Sequence, residues 1–162
     1  MSAETPLPNA QELRELAEGL LGREVDVLTG GSMVDPAAEG GALVGTYVDR
    51  GMRLQALVLF DLPLAAHMGA AIGLIPAGAS EDAAEGGFLP HNLAENAAEV
   101  LNVVASLFNT ETSPHLRLDT VYLPGEALPN DVQPWVMSYV RRMDLDVSVA
   151  GYGKGRWSVL VL

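Results

Sequence analysis

The stretch ALVGTYVDRGMRLQALVLFDLPLAAHMGAAIG, residues 42–73, constrains the fold more than any other part of the chain. Two runs rich in β-branched and large apolar residues, 42–48 and 52–60, flank Asp49, Arg50 and Gly51, a pattern that predicts a β-hairpin. Asp61 then stands where a helix N-cap belongs, with Pro63 in the first turn, and Ala65, Ala66, Gly69, Ala70 and Ala71 let the helix approach a neighbour closely. Although this is the most apolar part of the sequence, Arg53, Asp61, Pro63 and His67 interrupt it, which fits a buried core and not a membrane span.

The flanking sequence supplies the other elements. Asn9 followed three residues later by Glu12 is a capping-box pattern, and Leu13, Leu16, Ala17, Leu20 and Leu21 continue at helical spacing until Gly22 ends the helix. Residues 24–29 alternate as a half-buried strand does, and residues 30–41 form a loop. Residues 76–91 are acidic and glycine-rich and read as a loop, residues 92–109 as a long helix, and residues 115–123 as a strand. The spacing of Val132, Trp135, Val136, Tyr139, Val140 and Met143 predicts a short helix. Residues 145–150 and 157–162 read as strands joined by the glycine-rich GYGKGR; no helix follows it, so it is a hairpin connection and not a phosphate loop. The order predicts one mixed α/β (α+β) domain over residues 9–162, preceded by a mobile tail over 1–8. Its sheet is largely antiparallel, with long helices on one face and two related halves.

At 162 residues the chain can bury roughly 70% of the surface exposed by its unfolded form. It has no cysteine, which removes disulfides and thiolate zinc sites and suits a reducing cytoplasm. MSAETPLPNAQ has neither the basic cluster nor the apolar core of a signal peptide, so a soluble, cytoplasmic protein with no membrane attachment is expected. The net charge of −12 repels a phosphate backbone and argues against nucleic acid as a partner. Five of the nine basic residues, Arg117, Arg141, Arg142, Lys154 and Arg156, fall in the C-terminal third, which makes the rest of the chain the more acidic part. His67, His91 and His115 have no ligand spacing among themselves, and no metal or cofactor site is expected.

The helix over 92–109 carries the unexplained chemistry. Asn92, Glu95, Glu99, Asn102, Ser106 and Asn109 share a stripe roughly 100° wide, while Leu93, Ala97, Val100, Leu101, Val104, Leu107 and Phe108 cover the rest. A solvated face usually carries Glu-to-Lys pairs four residues apart, each contributing about 0.2–0.5 kcal/mol; Glu95 and Glu99 are like charges at that spacing. Asn92 with Glu95 matches a second capping box, which accounts for Glu95. Glu99 and Asn102 lie beyond that help.

With this order of elements, and with Glu99 and Asn102 set as ExxN in ENAAEVLN, the chain from about Gln11 to Leu162 resembles the CheC and CheX family of chemotaxis phosphatases. The hairpin and capped helix of residues 42–73 carry the other part of the likeness. The resemblance implies a CheX-like enzyme that hydrolyses the aspartyl phosphate of a response-regulator receiver domain. Glu99 and Asn102 are then the catalytic pair: the carboxylate would pair with a receiver lysine, and the amide would orient water for in-line attack. An acyl phosphate is already activated, so positioning water carries much of the catalysis. The Mg2+ belongs to the receiver, and the protein needs no cofactor of its own. Glu95 and Ser106, on the same face, are candidates for docking the partner, and no neighbouring base activates Ser106 as a nucleophile.

Several positions depart from the family pattern. Glu95 stands where serine or aspartate is frequent, Leu101 where glycine often precedes the asparagine, and residues 129–143 look like an insertion. Pro124 lies near the spacing at which the family motif has a proline. The first helix has Glu12, Glu15 and Glu18 but no matching asparagine, so one site is expected where some relatives have two. Two alternatives stay open. One is a non-catalytic adaptor of the same fold that binds a receiver or another protein through its acidic helix. The other is an acidic chaperone or structural dimer, and some family members are homodimers.

Overall fold

A computed structural model of the chain describes residues 4–162. The elements run α1 (Ala10–Leu21), β1 (Val25–Thr29), β2 (Ala42–Val48), β3 (Leu54–Asp61), α2 (Leu62–Ile72), α3 (Ala77–Gly86), α4 (His91–Phe108), β4 (Arg117–Tyr122), β5 (Arg141–Val149) and β6 (Gly153–Val161). The strands form one six-stranded sheet in the order β1-β5-β6-β3-β2-β4, and its strand pairs are antiparallel. Exchanging β1, β2 and β3 for β4, β5 and β6 reproduces this order, so each half lends one strand to the other half's hairpin. This is the two-halved sheet expected from the sequence.

The helices lie on one face. Leu13, Ala17, Leu64, Met68, Leu93, Val100, Leu101 and Val104 join Tyr47, Val58, Phe60, Trp157 and Val159 in the main core. The opposite face buries Ala42, Val44, Leu57, Leu59 and Leu160 under Val34, Val132 and Val136, which come from the two long connections. Covering on both faces explains why β2 and β3 read as continuous apolar runs instead of alternating. The β2–β3 hairpin forms with Val44 opposite Leu59. Asp61 caps α2, accepting from the Leu64 N–H at 3.0 Å. α1 has its capping box, with Asn9 Oδ1 accepting from Glu12 N at 2.8 Å and Glu12 Oε1 from Asn9 N at 3.1 Å.

Three local expectations are corrected. Residues 76–91 are not a loop: Pro76 starts α3, whose Ala77, Ala79, Ala83 and Ala84 favour helix, and Gly87 ends it with φ 68°. The helix over 132–143 shrinks to a 3-10 turn, Gln133–Trp135. Pro134 removes a backbone donor there, and from Arg141 onward the chain pairs with β6, Arg141 opposite Val161. Most of GYGKGR lies within β6, leaving a three-residue turn between Val149 and Gly153 in which Gly151 takes φ 81°, the left-handed position such turns reserve for glycine. The expected tail over 1–8 falls partly outside the described residues. Within them Thr5 and Pro8 are buried, Leu7 packs on the core, and Arg141 donates to the Thr5 carbonyl at 2.9 Å.

The segment that follows β4 is fastened by one buried ion pair. The Arg142 guanidinium donates to Asp144 Oδ1 and Oδ2 and to the carbonyls of Val136 and Ser138. Asp144 Oδ1 also accepts from Ser158 Oγ at 2.7 Å, and Ser158 Oγ accepts from Val34 N at 3.0 Å. Both connections over the second face therefore meet at one polar hub. Among the described residues, no helix is long and apolar enough to cross a membrane.

Candidate functional site

α4 presents the polar stripe outward: Asn92, Glu95, Glu99, Asn102 and Ser106 are exposed, while Leu93, Ala97, Val100, Leu101, Val104 and Phe108 are buried. Three polar contacts hold the helix from below. Asn96 Nδ2 donates to the Gly69 carbonyl at 3.1 Å. The Tyr47 hydroxyl donates to the Leu101 carbonyl, and the Tyr47 ring meets Phe108 edge-on at 5.1 Å. At the C-terminal end, Asn109 donates to the Leu116 carbonyl at 3.0 Å and accepts from Leu116 N at 2.8 Å. Burial raises the Tyr47 hydroxyl pKa well above its ordinary value, so it stays a donor.

These contacts separate the asparagines of the helix. Asn96 and Asn109 bind backbone outside the helix, whereas Asn102, like Asn92 in the first turn, has no side-chain hydrogen bond among the described residues. Glu99, one turn before it, likewise has neither a hydrogen bond nor an ion pair among them. Glu95 and Ser106 are engaged locally. Glu95 Oε1 lies 2.8 Å from His91 Nε2, and Ser106 Oγ donates to the Val103 carbonyl at 2.8 Å.

The expected capping box of Asn92 and Glu95 is absent. Pro90 holds the N-cap position without a side-chain cap, the helix begins at His91, and Asn92 falls inside its first turn. The partner of Glu95 is therefore His91, a pairing that the four-residue spacing could have signalled. The acids of α1 are occupied differently: Glu12 belongs to the capping box, Glu15 accepts from Gln11 Nε2 at 3.0 Å, and Glu18 accepts from Val25 N at 3.1 Å.

The other perturbed groups lie away from this stripe. His67 is buried with Nδ1 2.9 Å from Ser80 Oγ, and burial lowers its pKa. Burial also raises the Asp61 carboxyl, against the pull of the N–H groups of Arg156 and Leu64. Asp49 is lowered by the Arg53 backbone N–H, which it accepts in the β2–β3 turn. Among the described residues, no cluster of three or more His, Asp or Glu side chains could hold a metal ion. The site thus offers a carboxylate and an amide on a rigid helix, both free to meet groups of another molecule.

No family model matches the sequence, and no curated protein matches it either. Solved structures do. The middle domain of FliM from H. pylori superposes with a TM-score of 0.58 at 9% identity, covering 94% of this chain and 84% of that one. The fold is similar to that of the FliM middle domain. The H. pylori FliM–SpeE complex gives a TM-score of 0.58 at 10% identity, covering 94% of this chain and 80% of that one. The FliG–FliM complex gives 0.51 at 9%, covering 93% and 84%. The likeness bears out the mixed α/β fold expected from the residues, and nothing in it is specific to CheX. At such identities the likeness is one of fold alone.

Proposed function

We propose that the protein hydrolyses the aspartyl phosphate of a response-regulator receiver domain, with Glu99 docking and Asn102 positioning water. The observation that carries this reading is the pair on one exposed helix face: Asn96 and the C-cap Asn109 are bound internally, whereas Asn102, one turn after the unpaired Glu99, is exposed and has no side-chain hydrogen bond among the described residues. A helical amide with no internal partner can accept from a water and donate to it or to the phosphoryl group, as an orienting group must. The water oxygen bonds to phosphorus as the bond from phosphorus to the aspartyl oxygen breaks. The receiver's carboxylate leaves, and the water proton ends on the phosphate. Glu99 supplies a charge for a receiver lysine, and the receiver's Mg2+ balances the phosphoryl charge.

The test is the lifetime of the aspartyl phosphate on candidate receivers, phosphorylated with acetyl phosphate, with and without the protein. Asn102→Ala is expected to slow hydrolysis by about a hundredfold while leaving the fold intact. Equal clearance by both proteins would remove the mechanism. A second reading, docking without hydrolysis, is favoured by the solved complexes of FliM with FliG and with SpeE. Measurable receiver binding with an unchanged phosphate lifetime would select it.

A further inference from the structure

Beside the stripe, a groove runs between α1 and α4, floored by Leu16, Leu20, Val103 and Leu107. These four side chains are half-buried, left partly open by the packing beneath them. Glu12 and Glu15 line the α1 side, and among the described residues no lysine or arginine lines the groove. On α4, Glu99, Val103 and Leu107 follow at intervals of four and form one ridge, so the unpartnered carboxylate stands at the end of the apolar floor.

Gly19 also lines this groove and is exposed in the last turn of α1. Glycine weakens a helix relative to alanine, and nothing in the fold requires it here. Its backbone is not left-handed, and a Cβ built on it meets nothing within 4 Å. The missing side chain does leave the groove wall open to something outside the chain.

We infer that the α1–α4 groove receives an amphipathic helix of the receiver. The helix lays its apolar face on Leu16, Leu20, Val103 and Leu107 and sets flanking lysines or arginines against Glu12, Glu15 and Glu99. The identity of the partner rests on the reading of Glu99 and Asn102 above. The chemistry of the occupant rests on the groove itself, since an apolar floor with a wholly acidic rim complements a basic amphipathic helix.

The probe is a synthetic helical peptide of about four turns, with leucines along one face and lysines flanking them. Its reference is a peptide of the same composition scrambled to remove the face. Fluorescence anisotropy against the full chain is expected to show the patterned peptide binding about tenfold more tightly than the scrambled one. Gly19→Leu should weaken it by about tenfold at an unchanged or higher melting temperature. Glu15→Lys should weaken it about fivefold, and less so in high salt, whereas Glu39→Lys, the same charge change in the loop between β1 and β2, should change it less than about twofold. Equal affinity for the two peptides, or indifference to both Gly19→Leu and Glu15→Lys, would overturn the inference. Asn102→Ala should leave peptide affinity unchanged. If that variant still clears receiver phosphate at the normal rate while the peptide binds, the phosphatase reading falls and the groove stands.

Discussion

The Asn96 amide donates to the Gly69 carbonyl at 3.1 Å, joining α4 to α2 where the two helices lie backbone to backbone. A Cβ on Gly69 would collide with the Leu93 carbonyl, so this position accepts only glycine at the observed spacing. Gly69→Ala is expected to push α4 off α2 and cost about 1–3 kcal/mol, as overpacking does. Urea denaturation followed by circular dichroism measures it, and an unchanged midpoint would contradict the close approach.

Two asparagines on the same helix should behave in opposite ways. Asn96→Ala removes a half-buried hydrogen bond and should lower stability by about 1 kcal/mol. Asn102→Ala removes nothing internal and replaces asparagine with a better helix former, so stability should stay level or rise by up to about 0.5 kcal/mol. Paired denaturation curves decide this without any partner protein.

Arg142→Met would leave Asp144 facing Ser158 without its counter-charge, in a pair whose side chains are only 7% and 14% exposed. Removing one member of a buried ion pair typically costs about 3–5 kcal/mol. Because the same guanidinium holds the Val136 and Ser138 carbonyls, limited proteolysis should also cut the variant near residues 133–140 before the wild type.

Stability should fall as pH drops through the histidine range. Burial holds His67 below its ordinary 6.5, against a weaker opposite pull from Glu81. In that window the unfolded chain binds the proton first, so falling pH favours unfolding until folded His67 protonates as well. Asp61 has the opposite sign: its carboxyl is raised from 3.8, so the folded chain takes up its proton first and its contribution grows as pH falls toward 3.8. Denaturant midpoints at several pH values around 6.5 test this, and His67→Gln should flatten the dependence there whatever its absolute stability.

The hairpin, the capped α2 and the long α4 were legible because each rests on local chemistry: alternating or β-branched runs, the Asp61 cap with Pro63, and the apolar spacing from Leu93 to Phe108. The outward stripe of Glu99 and Asn102 followed from the same spacing. α3 was hidden because acidic and glycine residues dilute its alanines, and its buried Ser80 is matched to His67 across the helix pair, a contact no local pattern signals. The spacing at 132–143 misled because Val132 and Val136 bury themselves against the sheet's second face from an irregular turn, a tertiary demand that imitates helical periodicity. Pro90 in place of an Asn92 cap shows the same limit, since backbone geometry chose the helix start over a side-chain pattern that would also have worked.

The two connections that meet at Ser158 cover the outer side of the sheet over β2 and β3 and leave Asp26, Leu28, Asp146, Lys154 and Arg156 facing solvent on the β1 side. A second copy therefore finds no open strand surface over β2 and β3. What the sheet leaves unpaired is its two rims, β1 with Leu28 facing solvent and β4 at the far end. Self-assembly through either rim would extend the sheet sideways, lengthening the ladder without thickening the layer.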